Sequence, residues 1–232
     1  MSVKSCLVFG GFGTIGKAVV DHFDSKGYSV WATSRNLEGR SEKAIKVVGH
    51  QEIDPSELAK LPPLDAVVWA QGVNTNDSIT NVQPEIMEEI IHSNSTFIVE
   101  TLNALISSDK ILDGARLCMI SSIWQEIIRP NKLSYSISKA ACGAVVRSSA
   151  ADLASRNILV NAVLPGVLDT PMTRAVLDDE QLLRVQKETG FFRLVNPEEV
   201  AEVIGFLCSP SNTAITGQSI VVDLGYTNVR SF

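Results

Sequence analysis

Only four cysteines occur in the 232 residues, at Cys6, Cys118, Cys142 and Cys208, and no two of them make a C-x-x-C pair. That rules out a disulfide framework or a dithiol redox motif and leaves reduced, buried thiols in a cytoplasmic protein as the expectation. The three histidines, His22, His50 and His92, lack the spacing of a ligand set, so no metal is expected. No apolar run approaches the roughly 18 residues of a membrane span, and the start "MSVKSCLVFGGFG" is not laid out as a signal peptide. Positive charge is also short: 20 Lys and Arg face 26 Asp and Glu, a net charge of −6. An electrostatic footprint for nucleic acid is therefore missing. Repeats, low-complexity tracts and Pro/Gly/Ser linkers are absent as well, so residues 1–232 are read as one domain. The 45% hydrophobic content suffices for one sizeable core.

What the chain does have is an alternation of short β-branched runs with helical patterns. "VKSCLVF" leads to a helix over 14–26, followed by "YSVWAT" and by "AIKVV" running toward Asp54. "DAVVWA" (65–70) precedes a helix over 84–107, and "ARLCMIS" (115–121) precedes a helix opened by "LSYSISKAACGAVV" that runs to about Arg156. "ILVNAVL" (158–164), helices near 173–187 and 197–208, and "SIVVDL" complete the series. Seven strands joined by crossover helices predict a parallel, doubly wound α/β sheet with helices on both faces.

The first strand–helix turn, "VFGGFGTIGKAVV", carries Gly10, Gly11, Gly13 and Gly16. Gly10 permits a tight turn, small groups at 13–14 allow a pyrophosphate to approach the backbone, and Gly16 lets helix and strand pack closely. The same glycines would serve a plain strand–helix turn. At the end of the second strand, where an acid would hold a ribose 2′-hydroxyl, the chain reads "TSRN". Arg35 there suits a 2′-phosphate, and Ser34 stands beside it; a solvated surface arginine is the alternative.

Taken together, several motifs resemble the short-chain dehydrogenase/reductase family: Gly10-x-x-x-Thr14-Ile15-Gly16, Ser121-Ser122, "YSISK" at 135–139, "VNAVLPGVLDTPM" at 160–172 and the segment 196–225. The likeness spans nearly the whole chain. Tyr-x-x-x-Lys alone is a weak signal, but Ser122 stands thirteen residues before Tyr135, which makes it specific. The resemblance implies a Rossmann-type sheet of order 3-2-1-4-5-6-7, a nicotinamide cofactor and a catalytic set of Asn94, Ser122, Tyr135 and Lys139. It further implies cofactor contacts from Gly10, Phe12, Gly13, Thr14, Ile15, Gly16, Ser34, Arg35, Asp54, Ala70, Gln71, Gly72, Tyr135, Lys139, Pro165, Gly166, Val167 and Thr170. Asp54 would equally cap the helix beginning at Pro55. NADP(H) is expected over NAD(H), together with a homodimer or homotetramer and a substrate-covering segment near 166–195.

The chemistry accounts for a phenol and an ammonium four residues apart on one helix face. Hydride transfer to or from a carbonyl carbon needs a group that moves a proton on the oxygen. A free tyrosine, with a pKa of about 10, is a poor acid/base near neutrality, and a neighbouring ammonium favours its phenolate. Ser122 would hold the substrate oxygen, and the resemblance assigns Lys139 to the nicotinamide ribose and Asn94 to a proton-relaying water. Without those partners Tyr135 and Lys139 would be an ordinary exposed helix pair. The expected function is an oxidoreductase acting on a small ketone or secondary alcohol, with a nucleotide-sensing protein that turns nothing over as the rival reading. Trp124, Met172, Phe191 and Phe192 are candidates for the substrate pocket or for the core. Asn161 and Asp223 are read as structural.

Four positions depart from the family pattern. Phe9 stands where Thr is frequent, Thr14 replaces a glycine, "WAQG" (69–72) replaces Asn-Asn-Ala-Gly, and Leu224 interrupts a Gly-Gly pair. None removes an expected catalytic group.

Overall fold

The computed structural model describes residues 3–47 and 53–229; for Met172, Ala175 and Val176 only the backbone is described. Val48, at the end of the expected third strand, and His50 lie outside the described residues.

Strands β1 (Ser5–Phe9), β2 (Ser29–Ser34), β3 (Ala44–Lys46), β4 (Leu64–Trp69), β5 (Ile111–Ile120), β6 (Leu159–Pro165) and β7 (Ser219–Val222) form one sheet. All its pairings are parallel, in the order β3-β2-β1-β4-β5-β6-β7. This is the order implied by the resemblance. The helices are α1 (Thr14–Ser25), α2 (Pro55–Lys60), α3 (Pro84–Ile91), α4 (Phe97–Ser107), α5 (Leu133–Asp152), α6 (Pro171–Val176), α7 (Asp179–Glu188) and α8 (Pro197–Leu207).

Side chains on a strand alternate between faces, so one strand feeds two cores. Leu7, Phe9, Val67, Trp69, Leu117 and Met119 pack with Phe97, Leu105, Cys142 and Val146 of α4 and α5. Cys6, Val8, Ala66, Val68, Cys118 and Ile120 pack with Val19, Phe23, Val200 and Ile204 of α1 and α8. All four cysteines are buried and free of disulfides.

Two expected helices are interrupted, each for an identifiable reason. The helix over 84–107 passes through a π turn at His92–Thr96, supported by a 2.7 Å hydrogen bond from Ser95 Oγ to the Ile91 carbonyl. The helix near 173–187 divides at Leu177, because Asp178 starts a new one with a capping box: its carboxylate accepts from Gln181 N, and the Gln181 side chain accepts from Asp178 N.

Two of the sequence departures, Phe9 and Trp69, prove to be coordinated. Phe9 stacks on Trp69 with centroids 5.5 Å apart and meets Phe97 edge-on at 5.8 Å, while the Trp69 indole donates to Thr101 Oγ1 at 2.8 Å. Large aromatic area thus fills the sheet centre at the strand ends where the family pattern has smaller polar groups. Leu224 adopts φ of 55°, the left-handed conformation that explains why glycine is usual there. Asn161 and Asp223 act as structural braces. Asn161 donates to the Ile215 carbonyl and accepts from Gln218 N, while Asp223 accepts from Gly225 N and Thr227 N.

Candidate active site

Strand order reverses between β1 and β4, and a crevice opens there at the carboxyl ends of the strands, as such sheets require. It encloses about 650 Å³. The turn after β1 forms its floor. Gly10 has φ of +68°, and a Cβ on it would sit 2.8 Å from Gln71 N; a Cβ on Gly16 would lie 2.1 Å from the Gly10 carbonyl oxygen. Only glycines allow this crossing of the β1 and β4 turns, and Thr33 pins it by accepting from Gly10 N at 3.0 Å. The N-terminus of α1 opens into the crevice through Gly13 and Thr14.

The crevice gathers most of the expected cofactor residues: Gly10, Phe12 to Ile15, Ser34, Arg35, Ala70 to Gly72, Pro165 to Val167 and Thr170, with Ser122 and Tyr135. Gly16 packs beneath the turn instead. Asp54 is outside the lining; its carboxylate caps α2 by accepting from Ser56 N at 2.7 Å, and this bonding holds its carboxyl below the usual range. Trp124 lines the crevice, whereas Phe191 and Phe192 are 64% and 71% exposed and stand off it; the Met172 side chain lies outside the described residues.

Three elements hold the catalytic candidates, with Ser122 and Tyr135 in the lining and Lys139 and Asn94 behind it. Helix α5 presents Tyr135 and, one turn later, Lys139, whose ammonium lies 5.6 Å from the Tyr135 ring centroid. Lys139 is 3% exposed and donates to the Ile120 carbonyl at the end of β5. Ser122, just beyond β5, accepts from Trp124 N at 3.3 Å. Asn94, on the π turn, pairs with the Val73 backbone at both its carbonyl and its N–H (2.9 and 2.8 Å) and also donates to Ser138 Oγ at 2.9 Å. Both amide hydrogens of Asn94 are therefore committed. Its side chain braces the 71–74 loop against α5, a role the sequence reading did not contain. The wider π turn aims it there, as such turns often do at functional sites.

Sequence reasoning missed four other residues. Arg40 lays its guanidinium 4.1 Å from the Phe12 ring centroid, at the same end of the crevice as Arg35. Asp77 caps α5 from the loop after β4, accepting from Ser134 N at 3.0 Å and from the Ser134 hydroxyl. Lys132 and Arg129, from the segment before α5, line the opposite end of the crevice. No local pattern marks Asp77, which lies 57 residues from its partner.

The residues fit a dinucleotide. Both amide atoms of Gln71 are buried in the crevice wall without a hydrogen-bond partner, and bare glycine backbone lies around them. Among the described residues, no group of three or more His, Cys, Asp or Glu side chains is placed to hold a metal ion. No helix among them is long and apolar enough to cross a membrane.

The family model described as enoyl-(acyl carrier protein) reductase matches residues 56–227. The chain belongs to the short-chain dehydrogenase/reductase family. It is 30% identical to an uncharacterized oxidoreductase, YmfI, of Bacillus subtilis, over 96% of this chain and 98% of that one. It is 31% identical to a glucose 1-dehydrogenase of Gluconobacter oxydans, over 99% of this chain and 94% of the relative. A short-chain dehydrogenase family protein from Francisella tularensis superposes with a TM-score of 0.86 at 26% identity, covering 97% and 99% of the two chains. Membership makes the chain an oxidoreductase of alcohol and carbonyl groups that uses a nicotinamide cofactor.

Proposed function

We propose that the chain is an NADP(H)-dependent oxidoreductase that interconverts a small ketone and its secondary alcohol, with Tyr135 as the acid/base. The observation that carries this reading is the juxtaposition of the Tyr135 ring and the Lys139 ammonium at one wall of a crevice that Ser122 also lines. The nicotinamide, when bound, supplies or accepts the hydride. Tyr135 gives its phenolic proton to the substrate oxygen in reduction and takes it back in oxidation. Ser122 holds that oxygen by a hydrogen bond, and the fixed ammonium of Lys139 stabilises the phenolate between turnovers. Asn94 keeps the 71–74 loop from drifting away from α5.

Cofactor choice is read from the far end of the crevice. Ser34 and Arg35 close β2, and Arg40 adds a second guanidinium, stacked on Phe12, where the sequence had offered only one cation. Among the described residues no carboxylate lines this end of the crevice. Two cations suit a ribose 2′-phosphate better than a bare 2′-hydroxyl. The segment 166–195 is assigned to covering the substrate. Ile86, Val99 and Ile137 leave apolar side chains exposed on α3, α4 and α5, which suits pairing into a homodimer or homotetramer. The buried, reduced cysteines suit a cytoplasmic setting.

The deciding experiment follows nicotinamide absorbance with a panel of ketones, aldehydes and alcohols under each cofactor. Turnover of a carbonyl–alcohol pair with NADPH ahead of NADH is expected. Tight NADPH binding with no turnover across the panel would favour a nucleotide sensor instead.

A further inference from the structure

The end of the crevice nearest Tyr135 holds two cations that the proposed chemistry does not use. Arg129 lines it with its guanidinium carbon 5.4 Å from the Trp124 ring centroid. Its Nε is buried without a hydrogen-bond partner, and none of the described acids forms an ion pair with it. Lys132 stands beside it, 4% exposed, with its ammonium 5.6 Å from the Tyr135 ring centroid. It donates to Asn74 Oδ1 at 2.7 Å and to the Thr75 carbonyl at 3.1 Å, which leaves one N–H to spare.

The nearby acids do not neutralise this pair. Asp77 is engaged by Ser134, and Glu188 lies beside Tyr226, which also feels Arg129. Burial first, and then repulsion from Arg129, push Lys132 down to about 8, with Asp77 opposing. In a chain of net charge −6, two mutually repelling cations on one wall of a crevice call for an anion. A buried guanidinium donor without an acceptor is costly in itself. A planar guanidinium held against an indole face presents its N–H edge in a fixed plane, the arrangement that receives a carboxylate through two parallel hydrogen bonds.

We propose that the substrate carries a carboxylate, received by Arg129 with Lys132 as the supporting charge, so that the site takes oxo acids or their hydroxy acids in preference to neutral carbonyl compounds. The proposal rests on the oxidoreductase reading for the location of the reacting carbonyl. The carboxylate itself is a handle and takes no part in the reaction.

The test uses the NADPH-loaded protein and a series of probes: 2-oxobutanoate, 3-oxobutanoate, 4-oxopentanoate and 5-oxohexanoate, each with its methyl ester, and 4-oxopentyl phosphate. Binding is measured by calorimetry and turnover by absorbance. At least one acid should bind roughly tenfold to a hundredfold tighter than its ester, the range of a charge-assisted hydrogen bond. Arg129→Gln should collapse that ratio toward one, and Arg129→Lys should restore part of it; the circular dichroism of both variants checks folding. The proposal is overturned if every ester binds as tightly as its acid, if Arg129→Gln leaves the ratio unchanged, if no acid binds, or if the phosphate outbinds every acid. Arg129-dependent acid binding without turnover would sustain the carboxylate site and remove the oxidoreductase reading. Turnover of neutral ketones without preference for acids would do the reverse.

Discussion

The two ends of the crevice carry similar charge and hold it in opposite ways. At the β2 end, Arg35 and Arg40 are exposed, one free in the solvent layer and the other laid on Phe12. At the α5 end, Lys139 and Lys132 are buried and fixed to the Ile120 and Thr75 carbonyls. Exposed charges interact through water, are screened by salt and act mainly on affinity. Buried, hydrogen-bonded charges are already positioned before a ligand or a reaction arrives, so Lys139 beside Tyr135 acts on rate and Lys132 needs no ordering to receive an anion. The contrast predicts graded consequences when either end is altered.

The largest effect belongs to Tyr135→Phe, which removes the transferable proton and little else. Turnover should fall by about 100- to 10,000-fold, while the NADPH dissociation constant, measured by fluorescence titration, stays near the wild-type value. A variant with near-normal rates would take Tyr135 out of the mechanism.

Alterations at the other end should be smaller and sensitive to salt. Removing both guanidinium groups with Arg35→Ala and Arg40→Ala is expected to lower the NADPH-over-NADH preference by roughly tenfold to a hundredfold, with less loss for either alone. Raising salt should shrink the wild-type preference as well. Ser34→Asp, which places a carboxylate where a phosphate would lie, should reverse the preference. Equal wild-type affinity for the two reduced cofactors would make these arginines mere surface charge.

Third in size is the cap on α5. Asp77→Ala strips the Ser134 N–H and hydroxyl of their partner and should cost about 1 kcal/mol of stability in urea unfolding, whereas Asp77→Asn, which keeps an acceptor, should recover much of it. Equal stability of the two variants would remove the cap argument.

Separate from these is the pH response of Lys132, whose facing charges are Arg129 and Asp77. Its ammonium is held down to about 8 against an ordinary value of 10.5, so between those limits the unfolded chain binds the extra proton. Wild-type stability from this group therefore rises as pH climbs from about 8 toward 10.5, and the cost of the buried charge is fully felt below 8. The melting temperature of Lys132→Met, relative to wild type, should accordingly fall across that window. A difference that is flat with pH would contradict the assignment.

The fold was legible because its signals are local. Short β-branched runs marked the strands, and the strand–glycine–helix order marked the crevice floor. Tyr135, Lys139 and Ser122 were singled out through the family resemblance, in which their spacing is specific, and the fold brings them to one crevice wall. The sequence also held one local signal that went unread: Asp178 three residues before Gln181, the capping pattern that splits α6 from α7. Other features arise only from the folded chain. Arg40 reaches Phe12 across 28 residues, and Asp77 reaches α5 across 57. The π turn at Asn94 answers to what the side chain must grip on the 71–74 loop, and helix propensity does not register that demand. Likewise Phe9 and Trp69 looked like two separate departures until the sheet register placed them ring on ring.

That ring pair gives the molecule an internal optical standard. Trp69 is sealed from solvent, with Phe9 against its face and its indole N–H given to Thr101, so its emission should be blue and indifferent to quenchers. Trp124 stands in the crevice wall with a guanidinium over its ring, where anything entering alters its surroundings. Excitation of the native chain thus yields a fixed signal from Trp69 and a responsive one from Trp124, beside the emission of half-buried Trp31 on β2, and the change in their ratio reads occupancy of the crevice without an added label.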